Sequence, residues 1–252
     1  MTNNDKPVHL WLDELSTVEA AEAAKQGKVV IFPVGCVEEH GEHLPLCTDS
    51  VQPEYIALEV ARKTGCLIAP PFRYGIINAG RNFPGSISIQ FNTLFNVTKD
   101  ILSELSRNGF NRIIILSGHA GSSHMVALRL AAQETIRQNG EENGKQHTRI
   151  MVLTDYDLAN ELTKELANPT DGHAGTIETS RIMAIRPDLI KSKGTPSNNY
   201  NLPRFEIVLH PEQYFPTGVL GDPTTATTEK GQKINKHVIE QIIKIVQELH
   251  SQ

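Results

Sequence analysis

The chain has 252 residues, of which 39% are hydrophobic and 21% charged, so it is long enough and apolar enough for one large folded domain, and the composition excludes a disordered protein. A formal net charge of −5 without a block of basic residues excludes nucleic acid and anionic membrane as expected partners. No apolar run approaches a membrane span and the N-terminus lacks the pattern of a secretory signal, so we expect a single domain over residues 1–252 and a cytoplasmic location.

The first half of the chain alternates helix and strand signals. Ser16 and Glu19 have capping-box spacing and predict a helix that runs to Lys25. Lys28–Val34 is a β-branched run without polar alternation, which is typical of a parallel strand buried on both faces. We further predict helices over Asp49–Lys63 and Thr93–Arg107, and short strands over Cys66–Ala69 and Ser86–Ile89.

The second half continues this alternation. We predict strands over Arg112–Leu116 and Thr148–Leu153, helices over His124–Gln138, Ala174–Ile185 and Ile234–Leu249, and an exposed loop over Asn139–Lys145. The turn-rich segment 194–228 is interpreted as a lid or an oligomer contact. Strands that alternate with helices predict the α/β fold class, with a mostly parallel sheet covered by helices on both faces. In such sheets ligands bind at the carboxyl ends of the strands.

Two polar segments follow predicted strands and could carry a metal site. Within EEHGEH, Glu38 and His40 are two residues apart, so in extended backbone their side chains project from the same face. Asp49 follows the same segment, and His119 follows the strand that ends at Leu116. Histidine and carboxylate ligands suit Zn²⁺, Mn²⁺ or Fe²⁺. The pattern therefore indicates a divalent-metal site but does not determine the reaction.

Each of these residues also has a purely structural interpretation. A single His or Asp after a strand is commonly a loop or capping residue, and only the convergence of four favours a site. Three cysteines, Cys36, Cys47 and Cys66, without a CxxC pair argue against disulfides and thiolate zinc. Cys36 and Cys47, which flank the candidate ligands, are interpreted as packing residues. Glu39, Glu42 and His43 are interpreted as loop residues or as supports of a ligand, while Ser122, Ser123 and His124 are expected to cap a helix.

Four sequence motifs resemble, in the same order, those of one known family. They are PVGCVEEHGEHLPLCTD, NFPGSISI, SGHAGSS and GHAGTIETS, and they extend over most of residues 28–186. Together they are similar to the signature of the creatininase (creatinine amidohydrolase) family. The resemblance implies a three-layer α/β/α sandwich, hydrolysis of amide or related C–N bonds at a two-metal centre, and a homo-oligomer, commonly a hexamer.

The resemblance also implies roles for individual residues. Glu38, Asp49 and His119 would hold one divalent ion, and His40 together with Asp49 would hold a second, so that Asp49 bridges the two. His173 would be a catalytic acid/base or a substrate contact.

The chain departs from creatininase at several positions. Gly121 stands where creatininase has a glutamate that completes the second metal, which implies a weaker second ion or one that takes Glu178 instead. Gly172 replaces a glutamate that precedes the histidine matching His173. Creatininase lines its pocket with tryptophans, whereas the one tryptophan here, Trp11, belongs to no motif. Creatinine is therefore not the expected substrate.

The function predicted from these observations is metal-dependent hydrolysis of a cyclic amide or formamide of a small molecule. Water activated by the metal would attack the carbonyl, and His173 with Glu178 would transfer a proton to the leaving nitrogen. Two alternatives remain open at this point. One is hydrolysis or isomerisation of a cyclic ketone or lactone at the same site, and the other is a catalytically inactive metal-binding assembly protein.

Overall fold

A parallel β-sheet lies at the centre of the computed structural model, which describes residues 9–143, 148–198, 201 and 203–251. Within these ranges the sheet has four strands in the order β2-β1-β3-β4. The strands are β1 (Val30–Val34), β2 (Leu67–Ile68), β3 (Arg112–Ser117) and β4 (Arg149–Thr154). All three neighbouring pairs are parallel, so the carboxyl ends of the strands meet at one edge.

Helices connect and cover the strands. They are α1 (Thr17–Lys25), α2 (Thr48–Thr64), α3 (Phe91–Arg107), α4 (Ser122–Asn143), α5 (Asn160–Leu166), α6 (Thr176–Ile185) and α7 (Thr228–Ser251). The predicted capping box at Ser16 and Glu19 begins α1. Helix α6 begins two residues later than predicted because Ala174 has a left-handed φ of 53° and Gly175 is extended.

Two hydrophobic layers hold the helices against the sheet. Because side chains alternate along a strand, Ile31 and Ile114 pack against α2 and α7 on one face. Val30 and Ile113 point to the opposite face and pack against α3 and α4. Each layer consists mainly of buried aliphatic side chains, and their burial is the main favourable contribution to folding. The predicted α/β class, with helices on both sides of a parallel sheet, is confirmed.

Two local predictions were wrong. Helix α4 continues to Asn143 through most of the predicted loop Asn139–Lys145, whose residues 144 and 145 lie outside the described ranges. Asn139 anchors this part of the helix, since its amide donates to the hydroxyls of Ser106 and Thr148. The predicted strand Ser86–Ile89 forms only isolated bridges, because it lies among the loops beyond the sheet edge.

Segment 194–228 contains two short 3-10 turns, Pro211–Tyr214 and Pro223–Thr225, among the residues that are described. The interpretation as a lid or oligomer contact stays a prediction, as does the single domain over residues 1–252. In the described part of the chain no helix combines the length and the apolar character that crossing a membrane requires.

Candidate metal centre

The sheet edge brings the two polar segments together. Val34 of β1 is in register with Ser117 of β3, so the chain segments after both strands leave the sheet side by side. The first turn of α2, which carries Asp49, packs directly against them. Gly35 and Gly118 permit this approach, because a Cβ atom at either position would overlap the carbonyl oxygen of Asp49.

His119 faces two carboxylates. Its Nε2 lies 3.0 Å from the carbonyl oxygen of Ile76, which can only accept a hydrogen bond, so this nitrogen carries the proton. The lone pair of Nδ1 then lies 2.9 Å from Asp49 Oδ2 and 3.0 Å from Glu38 Oε2. A lone pair opposite carboxylate oxygens is repulsive unless a cation or a proton lies between them.

His40 repeats this arrangement on the other side of Asp49. Its Nδ1 lies 3.1 Å from the carbonyl oxygen of Glu38 and is therefore the protonated nitrogen. Its Nε2 is fully buried and makes no hydrogen bond among the described residues, although Asp49 Oδ1 is 3.1 Å away and Glu178 Oε2 is 3.5 Å away. Asp49 thus presents one oxygen to each imidazole, which suits a carboxylate that bridges two ions.

The charges in the cluster favour positive charge between the imidazoles and the carboxylates. Burial by itself would lower the pKa of His40, but Asp49 and Glu178 outweigh it and raise the pKa to about 10. Burial would raise the pKa of Asp49, yet His40 and His119 hold it well below its usual value. The same field that attracts protons attracts divalent cations, and the imidazole and carboxylate donors are those of Zn²⁺ and Mn²⁺ sites. The residues present therefore fit a two-metal centre.

Cys36 belongs to this cluster as well. Its Sγ lies 3.0 Å from Asp49 Oδ2 and 3.5 Å from Glu38 Oε2. Burial, reinforced by the two carboxylates, raises the pKa of the Cys36 thiol well above its usual value. The thiol therefore stays protonated and donates a hydrogen bond to the carboxylates. Cys36 is therefore more than the packing residue that the sequence predicts. The two-residue spacing of Cys36, Glu38 and His40 could have predicted this contact, because in extended backbone it places the three side chains on one face.

Glu178 lies opposite His40, with Oε2 3.5 Å from Nε2 of the imidazole. A Cβ atom at Gly121 would overlap Nε2 of His119, so the present position of that imidazole excludes a side chain there. Glu178 projects instead from the first turn of α6. Its Oε2 accepts a 2.6 Å hydrogen bond from the backbone N–H of Ala174, and its Oε1 accepts a 2.9 Å hydrogen bond from the hydroxyl of Tyr156.

His173 lies beside the cluster, with its ring 4.2 Å from the ring of His40 and 5.6 Å from that of Phe215. Its Nε2 is 2.8 Å from the carbonyl oxygen of Glu39 and 3.2 Å from the carboxylate Oε1 of the same residue. Burial and His40 act to lower the pKa of His173, but Glu39, Glu178 and Glu38 raise it above its usual value. A carboxylate therefore lies beside His173 although Gly172 offers none. The structure, not the sequence, shows this pairing.

Two further histidines support the centre from behind. His124 was expected to cap a helix, which is wrong, because its ring is buried edge-on against His119 at 5.0 Å. Its Nδ1 accepts from the N–H of Ile76, and burial followed by the charge of His119 lowers its pKa to about 3. His43 bonds the hydroxyl of Thr179 at 2.9 Å, beside Glu178 in the chain, and makes no hydrogen bond to a carboxylate within the described residues.

A cavity of about 610 Å³ opens over the cluster. Glu38, Asp49, His119, His173 and Glu178 form its charged side, so the structure brings these predicted site residues to one accessible space, while His40 lies buried directly beneath. Lys164 and Asp171 add two further charged side chains to the lining. The remaining lining includes apolar and amide side chains, among them Tyr156, Ile177, Phe215, Leu220, Asn78, Asn160 and Asn168.

Comparison with known proteins gives a consistent result. Residues 13–246 match the family model Creatininase, described as creatinine amidohydrolase. The creatinine amidohydrolase of Pseudomonas putida is 28% identical over 268 residues, covering 95% of this chain and 96% of the relative. The mycofactocin precursor peptide peptidase of Mycobacterium ulcerans (strain Agy99) is 28% identical over 249 residues, covering 92% and 90%.

Solved structures share this fold and are described with Mn or with a Zn-Zn pair. A structure described as Creatininase Mn has a TM-score of 0.88 at 25% identity, covering 95% of this chain and 98% of the other. A creatininase variant of Zn-Zn type has a TM-score of 0.86, also at 25% identity and with the same coverage. The predicted divalent-metal cofactor and the predicted enzyme class are thus confirmed. The chain belongs to the creatininase family and is a metal-dependent amidohydrolase.

Proposed function

We propose that Glu38, Asp49 and His119 hold one divalent ion and that His40, Asp49 and Glu178 hold the second, with Asp49 as the bridge. The observation that carries this assignment is the buried Nε2 of His40, which has no hydrogen bond to any described residue and faces oxygens of Asp49 and Glu178. The assignment gives Glu178 the role of ligand, which the sequence had left open between ligand and acid/base. It also supplies the second position with the carboxylate that Gly121 lacks.

The reaction we propose is hydrolysis of an amide C–N bond. When bound, divalent ions polarise the scissile carbonyl and make hydroxide available near neutral pH. Hydroxide adds to the carbonyl carbon, and the departing nitrogen then needs one proton. His173 is placed to donate it. Its Nε2 faces the backbone carbonyl and the carboxylate of Glu39, which leaves Nδ1 for the substrate. Such proton transfer accounts for roughly 10²–10⁴-fold in rate.

For the substrate we propose a cyclic amide or formamide of a small molecule other than creatinine. The cavity of about 610 Å³ is roomier than a single five-membered ring requires. Asn78, Asn160 and Asn168 line it, and their side-chain amides can donate to and accept from an amide-like substrate. Trp11 pairs with Ile68 at the sheet and does not line the cavity, so the cavity lacks a tryptophan wall. Both curated relatives named above bear names of enzymes that cleave C–N bonds.

The test is a substrate screen with purified, metal-loaded enzyme. The panel contains formamides, cyclic ureas and imides, creatinine, short peptides, lactones and cyclic ketones. We expect turnover of a cyclic amide or formamide, and its loss in His173→Ala at unchanged metal content. Turnover confined to lactones or ketones would contradict C–N hydrolysis and would favour hydrolysis or isomerisation of a cyclic ketone or lactone instead. Turnover that survives metal removal would contradict the proposed mechanism as a whole.

We also propose a homo-oligomer, a hexamer by resemblance. Phe205, Ile207 and Leu209 are 91%, 98% and 82% exposed, which is unusual for large apolar side chains and supports a contact with another copy through segment 194–228. Size-exclusion chromatography with light scattering measures the subunit number. A monomer at micromolar concentration would contradict the proposal.

A further inference from the structure

The orientation of Glu178 depends on hydrogen bonds to both of its oxygens. Oε2 faces Nε2 of His40 at 3.5 Å and accepts from the backbone N–H of Ala174. Oε1 points away and accepts from the hydroxyl of Tyr156 at 2.9 Å. A carboxylate fixed through one oxygen can still rotate, whereas one fixed through both presents a defined lone pair to an ion. Tyr156 provides the only side-chain hydrogen bond to Glu178 among the described residues.

The hydroxyl of Tyr156 also reaches the helix that carries the bridging carboxylate. An ionised Glu178 can only accept, so the tyrosine O–H is donated to it, and the hydroxyl oxygen remains free to accept from Gln52 Nε2 at 3.2 Å. Gln52 is fully buried in α2, one turn after Asp49. A single hydroxyl therefore connects α2, which carries Asp49, to α6, which carries Glu178.

The ring of Tyr156 is held independently of any ion. The guanidinium of Arg181 lies over the ring, with Cζ 5.3 Å from the centroid. Arg181 is fully buried, pairs with Asp155 at 2.6 Å, and donates to Asn235 of α7 at 2.8 Å. Asp155 immediately precedes Tyr156 in the chain. This buried pair is costly to break, so it maintains the ring in one place before a metal arrives.

We propose that Tyr156 is a positioning residue that orients Glu178 for the second ion and thereby sets the affinity of that position relative to the first. This inference rests on the proposed two-ion centre. It concerns binding of the metal rather than the chemical step, so it can be measured without knowledge of the substrate. Loss of a hydrogen bond that orients a metal ligand typically weakens metal binding by roughly 10–100-fold.

The experiment is a Zn²⁺ and a Mn²⁺ titration of the metal-stripped full chain by calorimetry, with metal content measured after dialysis. We expect two ions per wild-type chain. In Tyr156→Phe, which keeps the ring and its packing, the ion that Glu178→Gln also weakens should show a dissociation constant about 10–100-fold higher, while the other ion is unchanged. The matched control is Tyr55→Phe in α2, because Tyr55 packs on the same hydrophobic layer but does not line the cavity.

The possible results separate the two proposals. Two ions with wild-type affinities in Tyr156→Phe would overturn the role of Tyr156 and leave the two-ion centre intact. Equal weakening of both ions would also overturn it, because a general structural defect has that effect. A wild-type chain that binds one ion only would overturn the two-ion proposal and this inference with it.

Discussion

If Asp49 bridges two ions, as proposed, single substitutions at the ligands should lower the metal-dependent part of the free energy of unfolding by different amounts. Asp49→Asn keeps the shape of the side chain but removes the charge that both imidazoles share, so it should abolish both ion positions. Glu38→Gln should affect the position at His119, and Glu178→Gln the position at His40. The three variants are close to isosteric, which keeps packing effects small.

The size of the effect follows from ligand linkage. An ion present at a free concentration 100 times its dissociation constant stabilises the folded state by about 2.7 kcal/mol, so two ions contribute about 5.4 kcal/mol. In a protein of this length 1 kcal/mol corresponds to a shift in Tm of roughly 2–4 °C, so metal should raise the wild-type Tm by roughly 10–20 °C. Each single-site variant should retain about half of that shift, and Asp49→Asn almost none.

The assay is thermal unfolding of each variant with and without Zn²⁺, after removal of metal with a chelator. Metal content measured on the same samples gives the stoichiometry. The reasoning fails if Asp49→Asn retains the full metal-dependent shift, or if Glu38→Gln loses both ions while Asp49→Asn loses one. Either result would move the bridge from Asp49 to another residue.

Three further predictions concern the surroundings of the centre. Cys36→Ala removes the thiol that donates a hydrogen bond to Asp49, so a metal titration should show the affinity for the ion at His119 lowered by roughly 10–100-fold. Cys36→Ser keeps a donor and should retain most of that affinity. Equal affinities in both variants would argue against the thiol hydrogen bond. His173→Ala should keep both ions and lower kcat by about 10²–10⁴-fold, and loss of metal in this variant would make His173 a ligand. His124 has a folded pKa of about 3, below its ordinary value, so the unfolded state binds more protons and stability is lost as pH falls from about 6.5 towards 3. The measurement is denaturant unfolding of the metal-free wild type and of His124→Asn. The free energy of unfolding of wild type minus that of the variant should fall by about 1.4 kcal/mol per pH unit below pH 6. A difference that does not change with pH would contradict this.

Much of the architecture could be predicted from local patterns. Two apolar runs could be predicted as buried parallel strands because they are hydrophobic on both faces, namely Lys28–Val34 and Arg112–Leu116. Parallel strands place their carboxyl ends at one edge, so Glu38, His40 and His119 could be predicted to converge before any contact was known. The Cys36, Glu38 and His40 alternation is equally local.

The tertiary structure decided which of the remaining groups complete the centre. Glu178 lies opposite His40, and Glu39 lies opposite His173, across more than 130 residues of chain in each case. No spacing rule relates such residues, because their contact depends on where α6 packs and on the left-handed turn at Ala174. Tyr156 and Gln52 meet for the same reason. The donor types could therefore be predicted from the sequence, but the pairing of donors could not, since it arises only when helices from distant parts of the chain pack at one sheet edge.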